Sequence, residues 1–101
     1  MLVFFSGRHL KPGHWEQFRE AWAPSDEDTA EFPDGTVIYH ARSLKDEDEV
    51  ISFGIFDVDR ESKDTIRGDA ESEAKRREEM DRHVKDIPLE GIYEVVEEIR
   101  P

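Results

Sequence analysis

The chain has 101 residues, which leaves room for a single domain, residues 1–101, with a thin core. Charged side chains make up 40% of it against 36% apolar, and the formal net charge of −12 repels polyanions, so neither a nucleic acid nor an anionic membrane is expected as a partner. There is no cysteine, which excludes disulfides, thiolate metal sites and cysteine nucleophiles.

Met1–Phe5 is an apolar run too short for a secretory leader, and no segment reaches the ~20 apolar residues of a membrane span; a cytoplasmic protein is expected. Leu2 to Arg8, rich in Val and Phe, reads as a strand buried on both faces. Lys11-Pro12-Gly13 stops it, and Pro12 suits the first turn of a helix, where its missing N–H costs nothing. Trp15, Phe18 and Trp22 then fall on one apolar helix face, and Pro24 ends that helix. Residues 25–35 form an acidic loop closed by the turn signal Pro33-Asp34-Gly35.

Thr36–Leu44 and Val50–Val58 are two β-rich runs, and the charged Lys45–Glu49 segment between them predicts an antiparallel hairpin. Asp59 is placed to cap a second helix, with a first piece to Arg67, a break at Gly68 and a restart capped by Asp69. Its main piece carries Glu71–Lys75, Glu73–Arg77, Glu78–Arg82 and Asp81–Lys85 at helical spacing. The apolar stripe beside them is sparse: Ile66, Ala70, Ala74, Met80 and Val84. The charges read as a solvated helix face. Pro88 is expected to end this element, and Gly91–Ile99 alternates as a last strand.

The order β-α-β-β-α-β predicts a ferredoxin-like α+β fold, a four-stranded antiparallel sheet with two helices on one face. Apolar residues occupy both parities of the first and third strands, so a lone subunit would expose an apolar sheet face. A homodimer packed sheet against sheet is therefore expected.

Polar residues inside strands mark where chemistry could sit. Pairing Tyr39 with Ile55 and Ala41 with Phe53 makes one hairpin face apolar and gathers Ile38, His40, Arg42, Ser52, Gly54 and Phe56 on the other. His40 is suited to proton transfer near neutral pH, and Arg42 beside it would stabilise an enolate or phenolate. Small residues at Ser52 and Gly54 would leave room for a flat ligand, walled by Trp15, Trp22 and Phe56. Tyr39 and the mid-strand Glu94 complete the candidate contacts. The competing reading has His40 and Arg42 in dimer-interface hydrogen bonds with acids such as Glu94, and the tryptophans as plain core. His9 and His14 read as surface residues. The histidines are dispersed, with no pair four residues apart on a helix, so no metal site is expected. No glycine pattern for a nucleotide and no serine elbow is present, and no bound cofactor is expected.

Phe4-Phe5-Ser6-Gly7-Arg8, Lys11-Pro12-Gly13 and Trp15-Glu16-Gln17-Phe18 resemble the first strand and helix of the antibiotic-biosynthesis-monooxygenase-like group. Met80, His83 and Gly91-Ile92-Tyr93-Glu94-Val95-Val96 resemble the end of its second helix and its last strand. The resemblance implies a dimeric α+β barrel with a cleft between sheet and helices in each subunit. It also implies a cofactor-independent monooxygenase acting on a small aromatic or polyketide-like metabolite. The alternatives it leaves are a cyclase or isomerase, a non-catalytic small-molecule binder, and a structural dimer. The haem-degrading branch carries an Asn on the first strand and a Trp and a His on the second helix. Here the first strand has no Asn and only His83 corresponds, which makes His83 the third catalytic candidate after His40 and Arg42. Its position near a helix end also suits simple complementation of the helix dipole.

Overall fold

A computed structural model describes residues 1–23, 32–61 and 70–101. The elements run β1 (Leu2–Leu10), α1 (Trp15–Trp22), β2 (Val37–Arg42), β3 (Glu49–Phe56), α2 (Ala70–Asp81) and β4 (Val84–Glu94), and the strands form one antiparallel sheet in the order β2-β3-β1-β4. This is the ferredoxin-like arrangement read from the sequence. Both helices lie on the face to which the even-numbered residues of β1 point. Leu2, Ser6, Arg8 and Leu10 are buried there, and Phe18 of α1 and Met80 of α2 close over them. The acidic segment, Pro24, the break at Gly68 and the cap at Asp69 fall at 24–31 and 62–69, outside the described residues.

The opposite sheet face carries Val3, Phe5, Ile51, Phe53 and Ile55 beside Tyr39 and Tyr93. Tyr39 stacks on Phe53 with ring centroids 5.2 Å apart, yet Val37, Tyr39, Leu89 and Tyr93 remain exposed. The both-face burial expected for β1 is therefore met on one face only within this chain.

Several local expectations are corrected. Pro12 is not in the first helical turn: Lys11-Pro12-Gly13-His14 is a turn closed by the His14 N–H donating to the Lys11 carbonyl at 3.1 Å. Gly13 takes φ +78° there, as the third residue of such a turn requires, and α1 begins only at Trp15. The hairpin pairs Tyr39 with Phe53 and Ala41 with Ile51, two residues from the expected register. The cause is a tightly bonded turn. The Ser43 hydroxyl accepts from the Lys45 and Asp46 amides, Asp46 accepts from Asp48, and the Ser43 N–H donates to the Glu49 carbonyl. A slip of two preserves side-chain parity, so His40, Arg42, Ser52, Gly54 and Phe56 still share the helix-covered face.

The largest correction lies after α2. The helix stops at Asp81, and Val84–Glu94, not Gly91–Ile99, is the last strand. Val84 and Lys85 therefore leave the helix, and the expected Asp81–Lys85 helical pair with them. Pro88 ends nothing. Gly7 faces Leu89 and His9 faces Asp86, so Ile87 and Pro88 together oppose Arg8 in a bulge. An edge strand tolerates a proline at such a place because no ladder donor is required of it. Ala74 is exposed, and the inward line of α2 is Glu73, Arg77 and Met80. The helix thus turns part of its charge run toward the sheet. Arg77 pairs with Asp81 at 3.7 Å and Arg82 with Glu79 at 2.8 Å.

Candidate active site

Aromatic residues fill the helix–sheet layer at one end. Phe18, Val50, Leu10 and Met80 form a closed cluster there, backed by Trp15, Trp22 and Val84. Toward the other end Leu2 and Phe56 pack with Phe4, Phe32 and Val58, and beside them the layer opens into a cavity of about 920 Å³. Trp22, Phe32, Phe56 and Ile92 give it apolar walls, and Arg8, Arg77, Glu90 and Glu94 add charge. The space over Gly54 is occupied by the Phe56 ring itself, whose edge would stand 3.1 Å from a Cβ at that position.

Three charged groups from different elements converge on this cavity. Glu90 stands opposite Ser6 across β4 and β1, and Arg8 is its diagonal neighbour on the same face. The Ser6 hydroxyl donates to Glu90 Oε2 at 3.3 Å, and Arg8 Nη2 lies 3.6 Å from the same oxygen. Arg77 reaches down from α2 and grips both carboxylate oxygens, Nη2 to Oε2 at 3.0 Å. Burial pushes the Glu90 carboxyl upward, but the Arg77 hydrogen bond and the charges of Arg77 and Arg8 outweigh it and leave the group below its ordinary value. The same hydrogen bond raises Arg77. Burial lowers Arg8, which is only 2% exposed and lies over the Phe18 ring with its carbon centre 5.4 Å from the centroid.

Of the residues singled out in the sequence as candidate site residues, Trp22, Ile38, Gly54, Phe56 and Glu94 line the cavity. His40 stands one layer behind it. Its Nδ1 shares a 2.7 Å hydrogen bond with the buried Ser52 hydroxyl, and its ring meets Trp22 edge-on at 4.5 Å, with Trp15 and Phe18 about it. Burial, and then the charges of Arg8 and Arg19, hold the imidazole below its ordinary pKa, so it is neutral at pH 7. Arg42 lies over Trp15 at 5.4 Å and donates to the Glu47 carbonyl, away from the cavity. Tyr39 is on the open sheet face. His83 occupies the turn after α2, where its Nδ1 is 2.9 Å from His14 Nδ1. His14 is thus paired instead of free at the surface, and His9 is bonded to Asp86, which raises its pKa. Among the described residues no group of three or more His, Asp or Glu is placed to hold a metal ion.

Sequence reading missed Arg8, Arg77 and Glu90. For Arg8 a signal existed: Ser6 and Arg8 share the parity of Leu2 and Phe4, so one polar pair had to lie on a buried face. Nothing comparable marked Glu90, which sits two residues after a proline assumed to end a helix. Arg77 was hidden within a charge run.

The described residues thus leave a cleft between one sheet face and two helices of an α+β fold, with aromatic walls and charged side chains at its edge. No family model and no curated protein matches the sequence. Among solved structures the chain is similar to a protein from Chloroflexus aurantiacus J-10-fl named a "putative Antibiotic biosynthesis monooxygenase", with a TM-score of 0.65 at 12% identity, covering 98% of this chain and 96% of that one. The shared feature is the fold, the one that the sequence resemblance implied. Among the described residues no helix is long and apolar enough to cross a membrane.

Proposed function

We propose that this chain takes a small, flat, aromatic or polyketide-like metabolite into the cavity between sheet and helices, and oxygenates it without a bound cofactor. The observation that carries the reading is the cavity of about 920 Å³ walled by Trp22, Phe32 and Phe56, a volume within the usual range for small-molecule sites. In such a reaction the substrate supplies the electrons. A methylene between two rings loses a proton, the carbanion reduces dioxygen, and RCH2R′ + O2 gives RC(=O)R′ + H2O. Glu94 at the cavity wall accepts the proton in this reading, and Trp22 and Phe56 stack on the rings. His40 touches Trp22, so it acts as a positioning residue for that wall. Arg42 and His83 lie outside the cavity and are assigned no step.

The protein works as a homodimer in this reading, the exposed apolar sheet face of each copy covered by the other, and it works in the cytoplasm. A second reading, binding without chemistry, is favoured by one observation: Trp22 separates the nearest imidazole, His40, from the cavity.

The test uses anthrone as probe, with affinity by calorimetry and oxygen uptake by electrode. Oxygen consumed in step with anthraquinone formation, lost in Glu94→Gln with binding kept, supports the oxygenase. Binding with uptake no faster than the protein-free blank makes the protein a binder. No binding removes both. Light scattering at micromolar concentration tests the dimer separately, and a monomer mass would overturn it.

A further inference from the structure

We infer that the Arg8–Arg77–Glu90 cluster is a carboxylate-recognition subsite, and that the natural ligand of the cavity is an aromatic monoacid. The inference rests on the reading of the cavity as a small-molecule site and adds the ligand's chemical class. Its basis is an imbalance of donors and acceptors. Two guanidinium groups converge on a single carboxylate. Arg77 takes both oxygens of Glu90, while Arg8 reaches one of them only at 3.6 Å, beyond hydrogen-bond range. Arg8 is 2% exposed, and among the described residues its Nε and Nη1 have no hydrogen-bond partner. Buried cationic donors without acceptors are costly, and the Phe18 ring beneath this group offers only a weak substitute.

Arg8 and Arg77 both face Glu90, and Asp81 lies 3.7 Å from Arg77, so the surplus at the cluster is one of hydrogen-bond donors on Arg8, in a chain of net charge −12. That background disfavours a dianion such as phosphate more than a monoanion. Guanidinium forks match the planar, two-oxygen geometry of a carboxylate. Glu90, 26% exposed at the side chain and borne on the edge strand, is then an internal stand-in. It turns aside when the ligand's carboxylate bridges Arg77 and Arg8, and the ligand's rings lie against Trp22 and Phe56.

The test compares 2-naphthoate with its uncharged counterpart 2-naphthamide by calorimetry at pH 7. Naphthoate is expected to bind at least about tenfold more tightly, the scale of one charge-assisted hydrogen bond. Arg77→Gln, at a partly exposed position that the fold tolerates, should bring naphthoate to the level of naphthamide, as should Arg8→Met. Glu90→Gln should tighten naphthoate several-fold, because it removes the competing carboxylate. A purely structural clasp predicts the opposite sign for Glu90→Gln. Equal affinities in the wild-type protein, or weaker naphthoate binding in Glu90→Gln, would overturn the carboxylate subsite while leaving the cavity reading intact. Failure of both probes to bind would remove the cavity reading, and this inference with it.

Discussion

The two ends of the helix–sheet layer are built from the same kinds of residue and finish differently. At one end Leu10, Phe18, Val50 and Met80 interlock, and at the other Leu2, Phe4, Phe32 and Phe56 surround a hollow. Helix length accounts for much of this. The eight residues of α1 rise about 12 Å, whereas the nine of β1 run about 30 Å. A helix that short covers less than half of the strand beneath it, and its Phe18 closes only the end that it reaches. Polar groups do the rest. Ser6 and Arg8 occupy the middle of β1, where a second aromatic layer would otherwise have joined the two clusters. Among the described residues, a short helix and a polar mid-strand thus account for the cleft.

The sharpest way to break this comparison is to truncate one aromatic at each end. Phe18→Ala leaves an enclosed void and should cost about 3–5 kcal/mol, the usual range for a fully buried phenylalanine. Phe56→Ala removes a ring that is also buried but borders the cavity, so the space it leaves joins the cavity and mainly the transfer contribution is lost, about 1.5–3 kcal/mol. Chemical denaturation of both variants checks the difference. Equal losses would mean that the second end is as tightly closed as the first.

A smaller change sharpens the picture from the cavity side. In Gly54→Ala the new Cβ meets the Phe56 ring at 3.1 Å and Ile38 at 3.4 Å. The Phe56 ring, which borders the cavity, must shift by a few tenths of an ångström, at about 1–3 kcal/mol. Naphthamide affinity should fall, while the thermal midpoint falls only in proportion to that cost. Unchanged affinity would show that the ligand does not reach the Phe56 wall.

The smallest effect concerns the boundary between the two ends, where His40 and Ser52 form a buried polar pair. Replacing both by apolar groups, His40→Phe with Ser52→Ala, should change stability by less than about 1 kcal/mol at pH 7. Its effect on pH dependence is the clearer signature. The folded-state pKa of His40 lies below the unfolded value of 6.5, so the unfolded chain takes up the proton first. This contribution to stability is present above pH 6.5 and lost as the pH falls toward the folded value. His9, raised by Asp86, acts with the opposite sign and is unchanged in the variant, so it cancels in the difference. Denaturant midpoints between pH 5 and 7.5 should show the wild-type protein losing stability relative to the double variant. A parallel pair of curves would mean that His40 titrates as freely when folded as when unfolded.

What could be read locally is what depends on period and parity. Runs rich in β-branched and aromatic residues identified three of the four strands, and parity placed His40, Arg42, Ser52, Gly54 and Phe56 on one face, even though the register was misjudged by two. The helical spacing of Trp15, Phe18 and Trp22 set the buried face of α1 in the same way. The start of β4 was not legible. Pro88 carries identical local meaning at the end of a helix and in an edge-strand bulge, and only pairing with β1 decides between them.

The order of elements, the fold class and which hairpin side chains face the helices were legible from the residues alone, because these follow from local composition and from the two- and 3.6-residue repeats of the backbone. Long-range packing alone brings Arg8, Arg77 and Glu90 together, sets Trp22 between His40 and the cavity, and leaves one end of the layer open among the described residues. Each of these depends on elements far apart in the chain brought side by side by the sheet order, and on how far α1 reaches across it. Contacts of that kind have no periodic signature, since nothing in the residues around Glu90 records what will lie opposite.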